Sequence, residues 1–198
     1  LGDYIYEYAA GRNGKVRMHH GPEIQSLDEY RSRYAQYRSD PLLHGMHARC
    51  PWIVTWDDHE FDNNYAGLVS EEDGVSPEAF LARRMNAYQA YYEFMPLRRR
   101  SFPHGPDMTL YRSCRFGRLA AFSLLDTRQY RSDQACDDGT KALCEAAVDP
   151  TRTMMGDAQE RWLFSGLDRS KAAWNLVPQQ VMMGAVDQSG QGDPRYSM

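Results

Sequence analysis

Trp56-Asp57-Asp58-His59-Glu60-Phe61-Asp62-Asn63-Asn64 follows directly on the apolar run Trp52-Ile53-Val54-Thr55, and this junction decides the fold. The apolar run reads as a strand over Trp52–Trp56, buried on both faces. Its end is crowded with carboxylates, one imidazole and two side-chain amides. Without cations such carboxylates would repel one another and resist ionising; hard oxygen donors beside a histidine are what a multi-cation site requires. Taken alone, the same residues also read as a solvated turn, with Asp58 capping a helix.

A second cluster opens the chain, Leu1-Gly2-Asp3-Tyr4-Ile5-Tyr6-Glu7, read as a strand end carrying Asp3 at its tip. A carboxylate can bridge two cations, and a phenolate is a hard anionic donor that suits iron(III) more than zinc. Alone, a strand ending in a glycine turn would give Gly-Asp-x-x-Tyr by chance.

In this order the two clusters resemble the binuclear metallophosphoesterases. Those enzymes string their ligands as Asp-x-His, Gly-Asp-x-x-(x/Tyr), Gly-Asn-His-(Asp/Glu) and later isolated histidines. Gly2-Asp3-x-x-Tyr6 looks like the second block, in the form carried by purple acid phosphatases. Asp57-Asp58-His59-Glu60 looks like the third, with Asp58 where most relatives hold asparagine. That replacement is typical of the PhoD-like alkaline phosphatases. Tyr30 to Arg38, His47 to Trp52, Leu125 to Arg131, Met155 to Leu163 and Trp174 to Met183 are similar to the same branch.

The resemblance implies an α/β fold of the metallophosphoesterase type, a β-sandwich of two mixed sheets flanked by helices, with metals at strand ends. Residues 1–198 are expected to be the central part of a single such domain, truncated at both ends. The family takes a cysteine and an aspartate from upstream and a Gly-Asp-x-His-like element from downstream; the histidines here include no such element. The implied cofactors are Fe3+ and Ca2+, other divalent metals being possible. The implied activity is hydrolysis of phosphate monoesters or diesters by metal-activated oxygen attack, in a periplasmic or secreted protein.

For the site this yields Asp3 as the bridging carboxylate and Tyr6 as a phenolate ligand to iron. Asp58 and Asn63 are oxygen donors to calcium, and Asp57 is either a ligand or a neighbour of the ligands. His59 is expected as a general acid or a transition-state hydrogen-bond donor, or as a histidine that orients a carboxylate ligand. Glu60 is a candidate to fix its tautomer. Arg128 is expected to clamp phosphate with its planar guanidinium, or to form a surface salt bridge with Asp126. Gln179 and Gln180 are candidates to support the site, and Arg98-Arg99-Arg100 reads as a solvated charge run. Ser123, Thr127 and Ser189 lie in no nucleophile elbow, which disfavours a phosphoseryl mechanism.

Composition bounds the rest. A chain of 198 residues with 42% hydrophobic and 25% charged residues suits one globular domain. A net charge of −4 leaves no basic footprint for nucleic acid. No apolar run approaches a membrane span, and a monomer is expected. Of the four cysteines, Cys136 and Cys144 flank a turn-rich stretch. They are either a disulfide, as an exported protein would allow, or two thiols. Cys50 and Cys114 read as small packed hydrophobes.

The remaining elements are a helix over Leu27–Arg38 with Leu27, Tyr30, Tyr34 and Tyr37 on one core-facing side, and a helix from Ser76-Pro77 to Met95. The second buries Leu81, Met85, Tyr88, Tyr92 and Met95. A hairpin pairs Met108–Cys114 with Arg118–Leu125, a helix spans Asp157–Asp168, and a strand runs from Trp174 to Met182. Two other functions stay open. One is an incomplete, catalytically silent calcium-binding module. The other is a glycosidase using Asp58 and Glu60, which is disfavoured because its carboxylates must flank a sugar from opposite sides.

Overall fold

The computed structural model describes residues 2–12, 17–137, 142, 144–181 and 184. Helix α1, Leu27–Arg38, begins at a capping box in which Ser26 and Glu29 satisfy each other's backbone N–H groups. Tyr30 and Tyr34 are fully buried, with Leu27 and Tyr37 packed beside them, so the aromatic side is core. Helix α2, Pro41–Arg49, was not read from the sequence. Asp40 accepts from Leu42 N and Leu43 N, and Pro41 occupies the first turn, but none of its residues is buried. An apolar periodicity is therefore missing, although both start signals are present.

Helix α3, Pro77–Phe94, is capped by Ser76 and packs along α1. Of the expected stripe, Tyr88 and Met95 are buried and Leu81 and Tyr92 pack against the core, but the inward side extends beyond it. Phe80, Arg83, Arg84, Ala87, Tyr88, Ala90 and Tyr91 face inward, while Met85 is 45% exposed. Two arginines occupy inward positions that an apolar count passes over. They are held there by partners: Arg83 by Asp62, Glu23 and the Tyr30 hydroxyl, Arg84 by Pro106 O, Gly67 O and Gln129 Oε1.

Strands β1, Arg112–Phe116, and β2, Ala120–Leu124, form the expected hairpin, shorter at its start than the sequence suggested. Gly117 takes φ +55° in the turn. Strand β3, Trp174–Leu176, pairs parallel to β2 and gives a mixed sheet of order β1-β2-β3. The expected end of this strand at Met182 lies outside the described residues, as do Leu1 and Ser189. Helix α4, Gly156–Asp168, lies between the hairpin and β3 in sequence.

Two expected strands are not formed. Residues 52–56 belong to no helix or strand and pair with no strand among the described residues. Their carbonyls go to side chains instead, Val54 O accepting from Arg112 Nη2 and Trp56 O from Gln180 Nε2. Burial is one-ended: Ile53 is 48% exposed, whereas Val54, Thr55 and Trp56 are buried. Residues 2–6 likewise form no strand; Asp3 sits at φ +58°, just before a bend at Tyr4 and Ile5. Four helices and one three-stranded sheet make this a small mixed α/β structure among the described residues.

A disulfide joins Cys136 and Cys144, with their Cα atoms 5.8 Å apart. Cys50 is exposed rather than packed, because α2 contributes nothing to the core. No described helix is long and apolar enough to cross a membrane.

Candidate metal centre

Gly2 shows how the two clusters meet. A Cβ at this position would lie 2.4 Å from both Asp57 N and Asp57 Cβ, and the residue adopts φ +73°. Only glycine allows so close a crossing of the first segment over the end of the second. Asp3 then occupies the left-handed region, which aspartate tolerates better than most residues.

Glu60 fastens the crossing. It is 2% exposed, and its Oε1 accepts from Tyr4 N at 2.6 Å while Oε2 accepts from Asp57 N at 2.8 Å. Burial pushes this carboxyl up to about 8, against the pull of the two N–H groups. Glu60 therefore binds backbone on both segments and does not orient His59. That position is taken by Glu7, whose Oε2 accepts from His59 Nδ1 at 2.8 Å. The sequence carried no spacing signal for this pair, since Glu7 reaches His59 only because the two segments cross.

The crossing gathers the donors. Ligand atoms of Asp3, Asp58 and His59 all lie within 4.8 Å of one another. The Tyr6 hydroxyl donates to Asp3 Oδ2 at 3.0 Å, and its ring stacks on His59 with centroids 4.1 Å apart. Burial first, and then the Asp3 carboxylate, push the Tyr6 phenol well above its ordinary range. A nearby cation would reverse that pressure. Burial lowers the His59 imidazole, but the hydrogen bond and charge of Glu7, with Asp58 and Asp3, outweigh it and raise the group to about 9.

Asp58 starts a tight turn, its carbonyl accepting from Phe61 N and Asp62 N. Its Oδ2 accepts from Asn64 N at 2.7 Å, with Asn64 at φ +48°. Arg128 stands at the end of β2 and is buried, not at the surface. Its Nε donates to Asp57 Oδ1 at 2.6 Å, Nη1 to Asn64 Oδ1 at 3.2 Å, and Nη2 lies 3.4 Å from Asp58 Oδ1. The surface salt bridge to Asp126 is thus excluded. Asp126 instead caps the following turn, Oδ1 accepting from Arg128 N and Gln129 N. Burial raises the Asp57 carboxyl, and Arg128 works in the opposite direction.

The hydrogen bonds of the Asn63 side chain go to Tyr8 and Glu71: Oδ1 accepts from the Tyr8 hydroxyl at 2.8 Å, and the amide donates to Glu71. An amide oxygen has a second lone pair, so this bond alone does not use up its capacity as a donor. Gln180 ties the end of β2 to the segment before the site, donating to Thr55 Oγ1 at 3.0 Å and Leu125 O at 3.1 Å. Arg98, Arg99 and Arg100 are exposed.

A second acidic group, Glu23, Asp62 and Glu72, also brings its oxygens within 4.8 Å of one another. Arg83 offsets part of its charge, donating to Asp62 at 2.7 Å and to Glu23 at 2.9 Å. Each group has one exposed member, Asp3 in the first and Glu72 in the second, so what separates them is the Arg83 guanidinium bonded to two of the second group's carboxylates.

Among known proteins, the PhoD-like phosphatase family matches residues 1–198. Alkaline phosphatase D of Bacillus subtilis (strain 168) is 52% identical over 202 residues, covering 100% of this chain and 34% of that protein. A solved structure of PhoD superposes with a TM-score of 0.92 at 52% identity, over 100% of this chain and 38% of that one. The chain therefore spans little more than a third of the length of these relatives.

Proposed function

The chain belongs to the PhoD-like phosphatase family, and from that premise we propose that it carries the central part of a metal-dependent phosphoesterase site. The complete domain would be the two-sheet metallophosphoesterase sandwich, and the reaction hydrolysis of phosphate monoesters or diesters. The observation that carries this reading is the convergence of Asp3, Asp58 and His59 within 4.8 Å beside the buried Arg128.

The donor set fits hard cations: carboxylate oxygens, a phenol already on one of them, and an amide oxygen. Asp3 would bridge, Tyr6 would favour Fe3+, and Asp58, Asn63 and Asp57 would serve Ca2+. When bound, such cations would neutralise the charge of a phosphate ester and lower the pKa of a bound water. Arg128 holds Asp57 in place and keeps a planar positive group beside the carboxylates, where it can meet phosphate oxygens. His59 has Nδ1 on Glu7, which leaves Nε2 as the ring nitrogen that can serve a leaving oxygen. A periplasmic or secreted location is supported by the Cys136–Cys144 disulfide, because such bonds persist in oxidising compartments.

The test is elemental analysis of the full-length protein, with hydrolysis of nitrophenyl phosphate monoester and diester with and without chelator. Iron with calcium, and turnover abolished by chelation, is the expected result. Calcium without turnover would replace this reading by that of a silent calcium-binding module.

A further inference from the structure

The structure points to Glu7 as the positioning residue of His59, an inference that rests on the phosphoesterase reading above and deepens it. We propose that Glu7 holds the imidazole through Nδ1–H, so that Nε2–H of the doubly protonated ring is the donor presented to the leaving-group oxygen.

Glu7 is 1% exposed, and its Oε2 meets His59 Nδ1 at 2.8 Å. Its other oxygen, Oε1, is buried and has no hydrogen-bond partner. A carboxylate held so far from water is costly unless it is paired, and the imidazole is the partner that pairs it. The rest of the residue is rigidly set. Ile24 N donates to Glu7 O at 3.1 Å, and the neighbouring carbonyls of Tyr6 and Tyr8 accept from Arg33 Nη1. The ring it holds is stacked on Tyr6, with the Tyr8 ring edge-on at 5.2 Å. A ring clamped between two aromatics cannot flip readily, so the hydrogen bond on one nitrogen determines which nitrogen faces the chemistry. The same short segment thus delivers Asp3 to the metal cluster and Glu7 to the histidine.

The bland alternative is a buried ion pair that only stabilises the fold. The two readings separate on leaving-group dependence. A histidine presented to the departing oxygen matters when that oxygen is a poor leaving group and hardly at all for nitrophenolate. In full-length protein, Glu7→Gln keeps the acceptor for Nδ1–H and removes the charge, whereas Glu7→Leu removes both. For Glu7→Leu, kcat on phenyl or alkyl esters is expected to fall about 10²–10³-fold. On nitrophenyl esters the fall should stay within about 10-fold, with KM and metal content held. Glu7→Gln should lie between the wild type and Glu7→Leu.

A second readout needs no turnover. In metal-stripped protein at a pH where the ring is neutral, nitrogen NMR should show His59 protonated on Nδ1. Glu7→Leu should shift the population toward Nε2–H. Equal losses on good and poor leaving groups, loss of metal along with activity, or an unchanged tautomer would each overturn the assignment. Absence of turnover in the unmodified protein would instead bring down the phosphoesterase reading, and with it the catalytic use of the pair. The NMR result would still tell a fixed ring from a free one.

Discussion

Residues 2–110 and residues 112–181 are built differently, and the site sits on the seam. Every member of the main core cluster, from Ile5 to Leu110, belongs to the first region. There Trp56 stacks on Tyr88 at 4.2 Å, and Phe61 meets Phe80 edge-on at 4.9 Å. The second region is a thin sheet with helix α4 and a few buried apolar residues, Leu124, Leu125 and Leu163 among them: β3 is exposed at all its residues, and Phe116 and Trp174 are 72% and 67% exposed. A tightly packed body holds Gly2 to Asn64 in a geometry no single element could impose. The sheet adds Arg128, delivered from the end of β2. The candidate cluster therefore depends on packing in one region and on side chains from the other, Arg128 being the one that meets its carboxylates.

Cutting that link should give the largest effect. Arg128→Gln leaves Asp57 without its guanidinium partner in a buried setting. Removing one member of a buried pair costs about 3–5 kcal/mol. Thermal unfolding of the full-length variant should show it, and turnover should fall further than stability alone explains. A marginal change would mean that the sheet contributes nothing to the site.

Within the packed region, Gly2→Ala should come next. The added methyl meets Asp57 at 2.4 Å on a backbone at φ +73°. Overpacking together with the left-handed penalty amounts to about 2–4 kcal/mol, and bound metal should be lost because the segments must part. Glu60→Gln should follow, at about 1–3 kcal/mol. Its amide would set an N–H donor against one of the two backbone N–H groups that the carboxylate now accepts. Metal retained at full stoichiometry in both variants would show that the crossing is not what places Asp3.

The same contrast explains what could be read from the sequence. Helices α1, α3 and α4 and the hairpin announce themselves through local spacing and caps, and their bounds fall close to those expected. Asp3, Asp58 and His59 were legible because the residue types are unusual at that density. What was not legible depends on tertiary crossing. Glu7 on His59, Glu60 on Tyr4 N and Asn64 on Arg128 have no fixed sequence interval. The apolar run before Trp56 mimics a buried strand, yet side chains of Arg112 and Gln180 take its carbonyls. The inward side of α3 is wider than its apolar stripe, and Met85 falls outside it, because Arg83 and Arg84 are inside, and charged residues go inside only with partners that sequence does not reveal.

The smallest expected effect tests whether the thin region is as open as it is described. Phe116 lies next to the hairpin turn and Trp174 at the start of β3; neither belongs to the core cluster. Burial free energy scales with apolar area removed from water, so a residue that stays mostly in water has little to lose. In the 198-residue chain, Phe116→Ser and Trp174→Ser should each change stability by no more than about 0.5 kcal/mol, the range for surface substitutions. Urea titration with an unchanged m-value is the measurement. A loss of several kcal/mol would mean that these rings are covered in solution. The division between a packed body and an open sheet would then give way to two cores, with Arg128 anchored by the second.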